Sequence, residues 1–143
     1  MLLLPRKGVL AIAAVLDIAL HADSRPVAAR ALAARHSLPP RHLEPVLQAL
    51  VRQGILRGIR GPRGGYELAS DPRRITAEDI LRAAGTAEDD LDGEAGVADS
   101  LLLGRVVVPA LEQAEHAFSA ALARITVAEL RHSAAGVREA IDG

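Results

Sequence analysis

The chain has 143 residues and no cysteine; 50% of it is apolar, 1% aromatic and 24% charged. That length holds one domain with at most an appendage, and the charged share is that of an ordinary globular protein, which excludes wholesale disorder. Without cysteine, disulfides, thiolate nucleophiles and cysteine-ligated metal centres cannot come from this chain alone. A core of Ala, Leu, Val and Ile, with almost no aromatic residues, favours helices over strands. The formal net charge of −1 conceals a division. Residues 1–75 carry 12 Lys/Arg against 5 Asp/Glu, whereas residues 76–143 carry 5 against 13. A segregated basic half suits a polyanionic partner, because Lys and Arg that meet phosphates release condensed counterions.

In chain order, Arg6 and Lys7 precede an apolar run from Gly8 to Leu16 that has the outline of a secretory signal. Asp17 interrupts the run, which falls far short of the roughly 20 residues of a membrane span. Val9, Ile12, Ala13, Leu16, Ala19 and Leu20 recur at helical spacing. This predicts a core helix over 6–22, with Asp17 off its buried stripe, in a cytoplasmic protein. A turn over 23–26 leads to a second helix over 27–35, with Pro26 suited to its entrance and Val27, Ala31 and Leu32 facing inward. Residues 36–40 form a short connection whose prolines cannot sit inside a helix. A third helix is expected over 40–53, with Leu43, Leu47 and Leu50 on one face and Gly54 as its C-terminal stop.

The period then changes. Residues 55–60 and 66–69 alternate roughly apolar and polar around Gly61-Pro62-Arg63-Gly64-Gly65, which predicts a β-hairpin. Thr76 with Asp79 has the spacing of a capping box for a helix over 77–84 that Gly85 ends. Residues 86–99 hold six acids and no base, as expected of a loop or linker. Pro109 opens a long helix to about 124, with Leu111, Ala114, Phe118, Ala121 and Ile125 spaced three and four apart and Leu122 beside them. Thr126 with Glu129 repeats the capping signature for a terminal helix near 127–133.

Two short helices separated by a turn, followed by a hairpin, make a winged helix-turn-helix. The expected fold is mainly α with a small β-hairpin and a long C-terminal dimerisation helix. The third helix can enter a DNA major groove, where Arg41, His42 and Glu44 have base-reading chemistry: Arg bonds guanine edges and Glu accepts from cytosine. The hairpin tip, with Arg60 and Arg63 beside the small Gly64 and Gly65, fits the minor groove, whose narrow A·T tracts attract guanidinium groups. Arg6 and Lys7 are expected to clamp phosphates, and Arg52 and Arg57 extend the basic face. The apolar stripe from Leu111 to Ile125 is the expected dimer seam. The other reading is a winged-helix protein-interaction module that does not bind DNA. The chain lacks a Walker sequence, a His-Glu-x-x-His motif and a serine elbow, so an enzyme is not expected. Nor are a metal site or a cofactor.

These motifs resemble the IscR/NsrR/CymR group of winged-helix transcription regulators. The resemblance runs through Arg6-Lys7-Gly8, the stretch Val15 to His21, Pro26-Val27, Leu32-Ala33, His42-Leu43-Glu44 and Gly54-Ile55-Leu56. Above all it lies in the wing string from Arg60 to Leu68, and it resumes at Ile75-Thr76 and from Ile125 to Leu130. It implies a homodimer, acting as a repressor on a palindromic operator, with Glu44 in the place of the group's specificity-reading glutamate and Arg60 in that of its minor-groove arginine. It divides the chain into a DNA-binding domain (1–85), an acidic loop (86–99) and a dimerisation helix with its tail (100–143). Three departures stand out. The loop that supplies cluster-binding cysteines in some members carries acids here. Pro39-Pro40 stands where a serine usually caps the third helix. Pro45 removes an N–H inside that helix, which is expected to bend it or leave a carbonyl to water. A small-molecule or protein effector is left open.

Overall fold

A computed structural model describes residues 6–21, 25–87 and 102–142. The elements are α1 (Arg6–Leu20), α2 (Ala29–Arg35), α3 (Pro40–Arg52), β1 (Leu56–Ile59), β2 (Gly65–Leu68), α4 (Ala77–Ala84), α5 (Val108–Leu122) and α6 (Val127–Asp142), with a π-helical turn over Leu103–Val107 leading into α5. The mainly helical winged helix-turn-helix expected from the sequence is present. From residue 88 on, the acidic stretch expected as a loop lies outside the described residues, as do residues 22–24 of the first turn.

α1 is the hub, packed against α3, α4, α6 and β2. Its buried face is Gly8, Ala11, Ala14, Val15, Ile18 and Ala19, mostly small side chains that let four neighbours approach closely. They join Leu32, Leu43, Leu47, Leu50, Leu56, Ile80 and Val127 in one core. This corrects the expected stripe: Val9 is 43% exposed and Asp17 only 7%. A carboxylate tolerates such burial only when its charge is matched. Arg35, at the end of α2, makes that match with two hydrogen bonds to Asp17, Nε to Oδ2 at 2.9 Å and Nη2 to Oδ1 at 2.6 Å. The Nε2 of His36 lies 3.1 Å from Oδ2, and the Nδ1 of His21 lies 2.7 Å from the Asp17 carbonyl oxygen. The group fastens the end of α2 to α1.

The connection between α2 and α3 is a tight αL turn. The Ser37 amide donates to Ala34 and the Leu38 amide to Ala33, at 3.3 and 2.9 Å, which closes α2 in the Schellman manner. Ser37 occupies the positive-φ position, at +53°. α3 then begins at Pro40 with Pro39 as N-cap and no side-chain cap. The two prolines lack amide hydrogens, so two of the four amides that a helix start leaves without an intrahelical partner are absent here. Pro45 sits within α3, which continues unbroken to Arg52; the Arg41 carbonyl lacks the proline's amide as partner. At the other end the Ile55 amide donates to Leu50 at 3.0 Å, with Gly54 at φ +78°. Gly54 supplies the left-handed residue that side chains resist.

β1 and β2 pair antiparallel, from Leu56 opposite Leu68 to Ile59 opposite Gly65. α2 starts two residues later than expected because Val27 is extended and bridges Tyr66. The amide of each donates to the carbonyl of the other, at 2.9 and 2.8 Å. Thr76 caps α4 in a full capping box with Asp79, and its segment bridges that of Thr126, whose hydroxyl accepts from the Glu129 amide at 3.1 Å. α6 runs well past the expected end, and it is α6 that packs on α1.

Burial alone pushes the Asp17 carboxyl up, but hydrogen bonds and attraction from Arg35, with His21 and His36, outweigh it and hold the group below 3.8. Replacing Arg35 by Ala is expected to lower stability by about 1–3 kcal/mol at neutral pH, since it strands a buried carboxylate whose partner was partly exposed. Because the folded carboxyl is the stronger acid, its contribution is present above the unfolded value of 3.8 and is lost as pH falls through the folded one. Urea denaturation from pH 7 down to pH 3 checks both parts: the gap between parent and variant narrows in acid.

Candidate nucleic-acid interface

The sequence of α3 sorts its residues onto two faces. Leu43, Val46, Leu47, Ala49 and Leu50 are buried against the core. Arg41, His42, Glu44, Gln48 and Arg52 are exposed. Glu44, Gln48 and Arg52 recur at four-residue intervals along one side, with Arg41 one turn before Glu44. Gln48 was missed by the sequence reading, although its place four residues after Glu44 was the signal; glutamine pairs in bidentate fashion with adenine edges.

The wing stands beside this helix because β1 leaves α3 directly after Gly54 and β2 returns to the Val27 segment. Arg60 and Arg63 lie exposed in the tip between the strands. Gly64 and Gly65 serve packing here: a Cβ on Gly65 would sit 2.5 Å from the Val27 carbonyl group, and one on Gly64 would meet the Ile59 carbonyl. They close the tip and seat β2 on the segment before α2.

Of the arginines between residues 25 and 68, two are engaged within the fold. Arg35 holds Asp17, and Arg57 spans the hairpin rung to Glu67, with Nη2 2.8 Å from Oε1. Arg57 therefore braces the wing, while remaining 60% exposed. Arg25, Arg30, Arg41, Arg52, Arg60 and Arg63 have no acidic partner among the described residues. Arg6 is exposed at the start of α1, and Lys7 beside it is half-buried with an interaction of its own. Among the described residues, the surface around α2, α3 and the wing is thus rich in unpaired guanidinium groups, with Glu67 engaged by Arg57 and Glu44 left unpaired.

A group of three or more His, Cys, Asp or Glu able to hold a metal is absent among the described residues, and the whole chain has no thiol. α5 presents Leu111, Ala114, Phe118, Ala121 and Leu122 along a helix with no buried side chain among its described residues, whereas the helix ends before Ile125, which lies in the turn that leads to α6. Leu111 is 62% and Ile125 37% exposed, Ala114 and Ala121 are exposed, and Phe118 and Leu122 are half-buried. The helical path begins ahead of Pro109, and Leu102 and Val106 add exposed apolar surface there.

Residues 4–133 match the family model of Rrf2, described as an iron-dependent transcriptional regulator. The chain belongs to the Rrf2 family. It is 36% identical over 133 residues to slr0846 of Synechocystis sp., provisionally classed as an HTH-type transcriptional regulator, covering 92% of this chain and 88% of that one. It is 34% identical over 86 residues to the HTH-type transcriptional regulator IscR of Xenorhabdus nematophila, covering 60% of this chain and 52% of that protein. Among solved structures, T. potens IscR superposes with a TM-score of 0.71 at 29% identity, over 92% of this chain and 87% of that one. CymR, the global cysteine regulator of B. subtilis, does so with a TM-score of 0.69 at 25% identity, over 93% and 98%. The resemblance read from the wing string is borne out, and with it the fold class and the role as a DNA-binding transcriptional regulator, a member of a family of regulators and not of enzymes.

An iron–sulfur cluster does not fit this chain's donor set. Soft thiolates are what iron–sulfur clusters demand, and no cysteine exists to supply them.

Proposed function

We propose that this Rrf2 protein is a homodimeric, sequence-specific repressor that binds a palindromic operator in the cytoplasm without an iron–sulfur cluster. The observation that carries the reading is the pairing of two exposed elements: the outer face of α3 and the unpartnered Arg60 of the wing. Arg41, His42, Glu44 and Gln48 face base edges in the major groove, with Glu44 discriminating through cytosine amino groups. Arg60 enters the adjacent minor groove, Arg63, Gly64 and Gly65 bring the tip close to the backbone, and Arg6, Lys7, Arg52 and Arg57 contribute positive charge along it. Among the described residues no helix is long and apolar enough to cross a membrane, in keeping with a protein that works on DNA.

The α5 seam supplies the two-fold axis. Ala114 and Ala121 let two helices approach, Phe118 and Leu122 fill the space between them, and Leu111 and Ile125 extend the contact. An isologous pair of this kind sets two recognition helices roughly 34 Å apart, one turn of DNA. Residues 1–85 then form the DNA-reading domain and residues 100–143 the dimerisation part, with the acidic stretch 86–99 between them.

Mapping bound sites across the genome identifies the operator and the genes it controls. On that operator, Arg60→Ala is expected to weaken binding by about 1–3 kcal/mol in a competition gel-shift at fixed salt; unchanged affinity removes the wing from the interface. The same binding is expected to be indifferent to iron chelators and to air, and purified protein to lack the visible charge-transfer band of a cluster.

Phe118→Glu is expected to place a charge in the seam and shift the protein to monomer or aggregate. Analytical ultracentrifugation decides this, and a variant that remains a tight operator-binding dimer puts the seam elsewhere.

A further inference from the structure

Between the segment that precedes α2 and the tip of the wing lies an open groove of about 420 Å³. Arg25 stands on one wall and Arg63 on the other, with Ala28, Ala31 and Gly64 keeping the floor clear of bulk. Two further basic groups, His21 and Arg35, border it, and among the described residues no carboxylate does. Arg35 is held by Asp17, whereas Arg25 and Arg63 carry no acidic partner among the described residues. The walls are fixed to each other, because the main-chain hydrogen bonds between Val27 and Tyr66 and the close seat of Gly65 on Val27 join the two sides directly beneath the groove. The result is a pre-formed concavity with two guanidinium groups facing it and no acidic partner for either among the described residues.

Geometry supplies the ligand. If α3 reads a major groove while Arg60 enters the neighbouring minor groove, one sugar-phosphate strand, the ridge separating those grooves, must pass between the helix-turn-helix and the wing. We propose that this ridge seats in the groove between Arg25 and Arg63, which grip its phosphates and fix the register of both reading elements. The assignment rests on the reading of α3 and the wing given above, and it adds Arg25, a residue outside either reading element. Guanidinium groups suit phosphodiester oxygens because their donors form a planar fork. A phosphate contact carries no sequence information, so the clamp sets position and affinity and leaves the choice of bases to α3.

The test needs no known operator. Binding of the full-length protein to a mixed-sequence duplex about three helical turns long is measured against salt concentration. Arg25→Ala is expected to reduce the slope of log affinity against log salt by about one unit, and Arg25→Lys to retain it. The loss is expected to be alike on duplexes of different sequence, and the exposed position of Arg25 should leave the variant's thermal stability unchanged. An unchanged slope for Arg25→Ala, with the parent still binding duplex, overturns the clamp and leaves the role of α3 and Arg60 standing. A parent protein that binds no duplex overturns both. Titration with inorganic phosphate alone separates the remaining source: saturable binding that Arg25→Ala abolishes without changing the duplex slope assigns the groove to a free anion and overturns the backbone assignment.

Discussion

Two main-chain hydrogen bonds between Val27 and Tyr66 hold the wing and the helix-turn-helix in one piece. A two-stranded hairpin in isolation is marginal in water, and a wing that moves independently of the recognition helix cannot place both in adjacent grooves. Here the segment before α2 acts as a short third strand, so wing, α2 and, through the αL turn at Ser37, α3 move together. The contact is possible only because position 65 has no Cβ: any side chain there would run into the Val27 carbonyl group. The glycine-rich tip, which in the sequence looks like a device for slipping into a groove, is first a packing requirement.

The same division between structure and recognition governs the charges. Buried Asp17 is matched by Arg35 at the α1–α2 junction, and Arg57 is matched by Glu67 across the hairpin. The two pairs differ in weight. The first is largely desolvated on the carboxylate side and is expensive to break, while the second is exposed and worth little by itself. Together they engage two of the eight arginines between residues 25 and 68, and the other six have no acidic partner among the described residues. Unpaired guanidinium groups near one another repel, so their clustering around α2, α3 and the wing is a charge arrangement that a polyanion relieves.

Much of this was legible in the sequence because it depends on local chemistry. Leu43, Leu47 and Leu50 at helical spacing, Gly54 past the helix end, and Thr76 with Asp79 at capping distance each declare themselves within a few residues, and each stands as expected. The wing string located the hairpin to within a residue or so at each strand end. The misreadings came from long-range effects. Asp17 was assigned to the surface because its partner is 18 residues away, and the start of α2 was set too early because the strand that recruits Val27 comes some 40 residues later. Helical periodicity alone chose the wrong stripe on α1, a helix surrounded by several neighbours and apolar nearly all round. Gln48 lies beyond the first turns of α3 and shares a face with Glu44 only through its four-residue spacing. Among the basic residues, the sequence pattern does not separate Arg57, which braces the hairpin, from Arg60, which has no acidic partner among the described residues.

The uneven charge along the chain constrains how such a protein finds DNA. With a net charge of −1 overall, the molecule as a whole has little monopole attraction to a polyanion, and at separations beyond a Debye length the halves nearly cancel. Attraction arises when basic residues rather than acidic ones meet the duplex. Close contact in a wrong orientation brings like charges together and is rejected. Compared with a uniformly basic protein, this arrangement gives up non-specific affinity, which grows with the number of phosphates neutralised, and retains the contacts made by one face. Discrimination depends on the gap between specific and non-specific binding rather than on affinity alone. An acidic half therefore widens that gap, because it lowers the non-specific term.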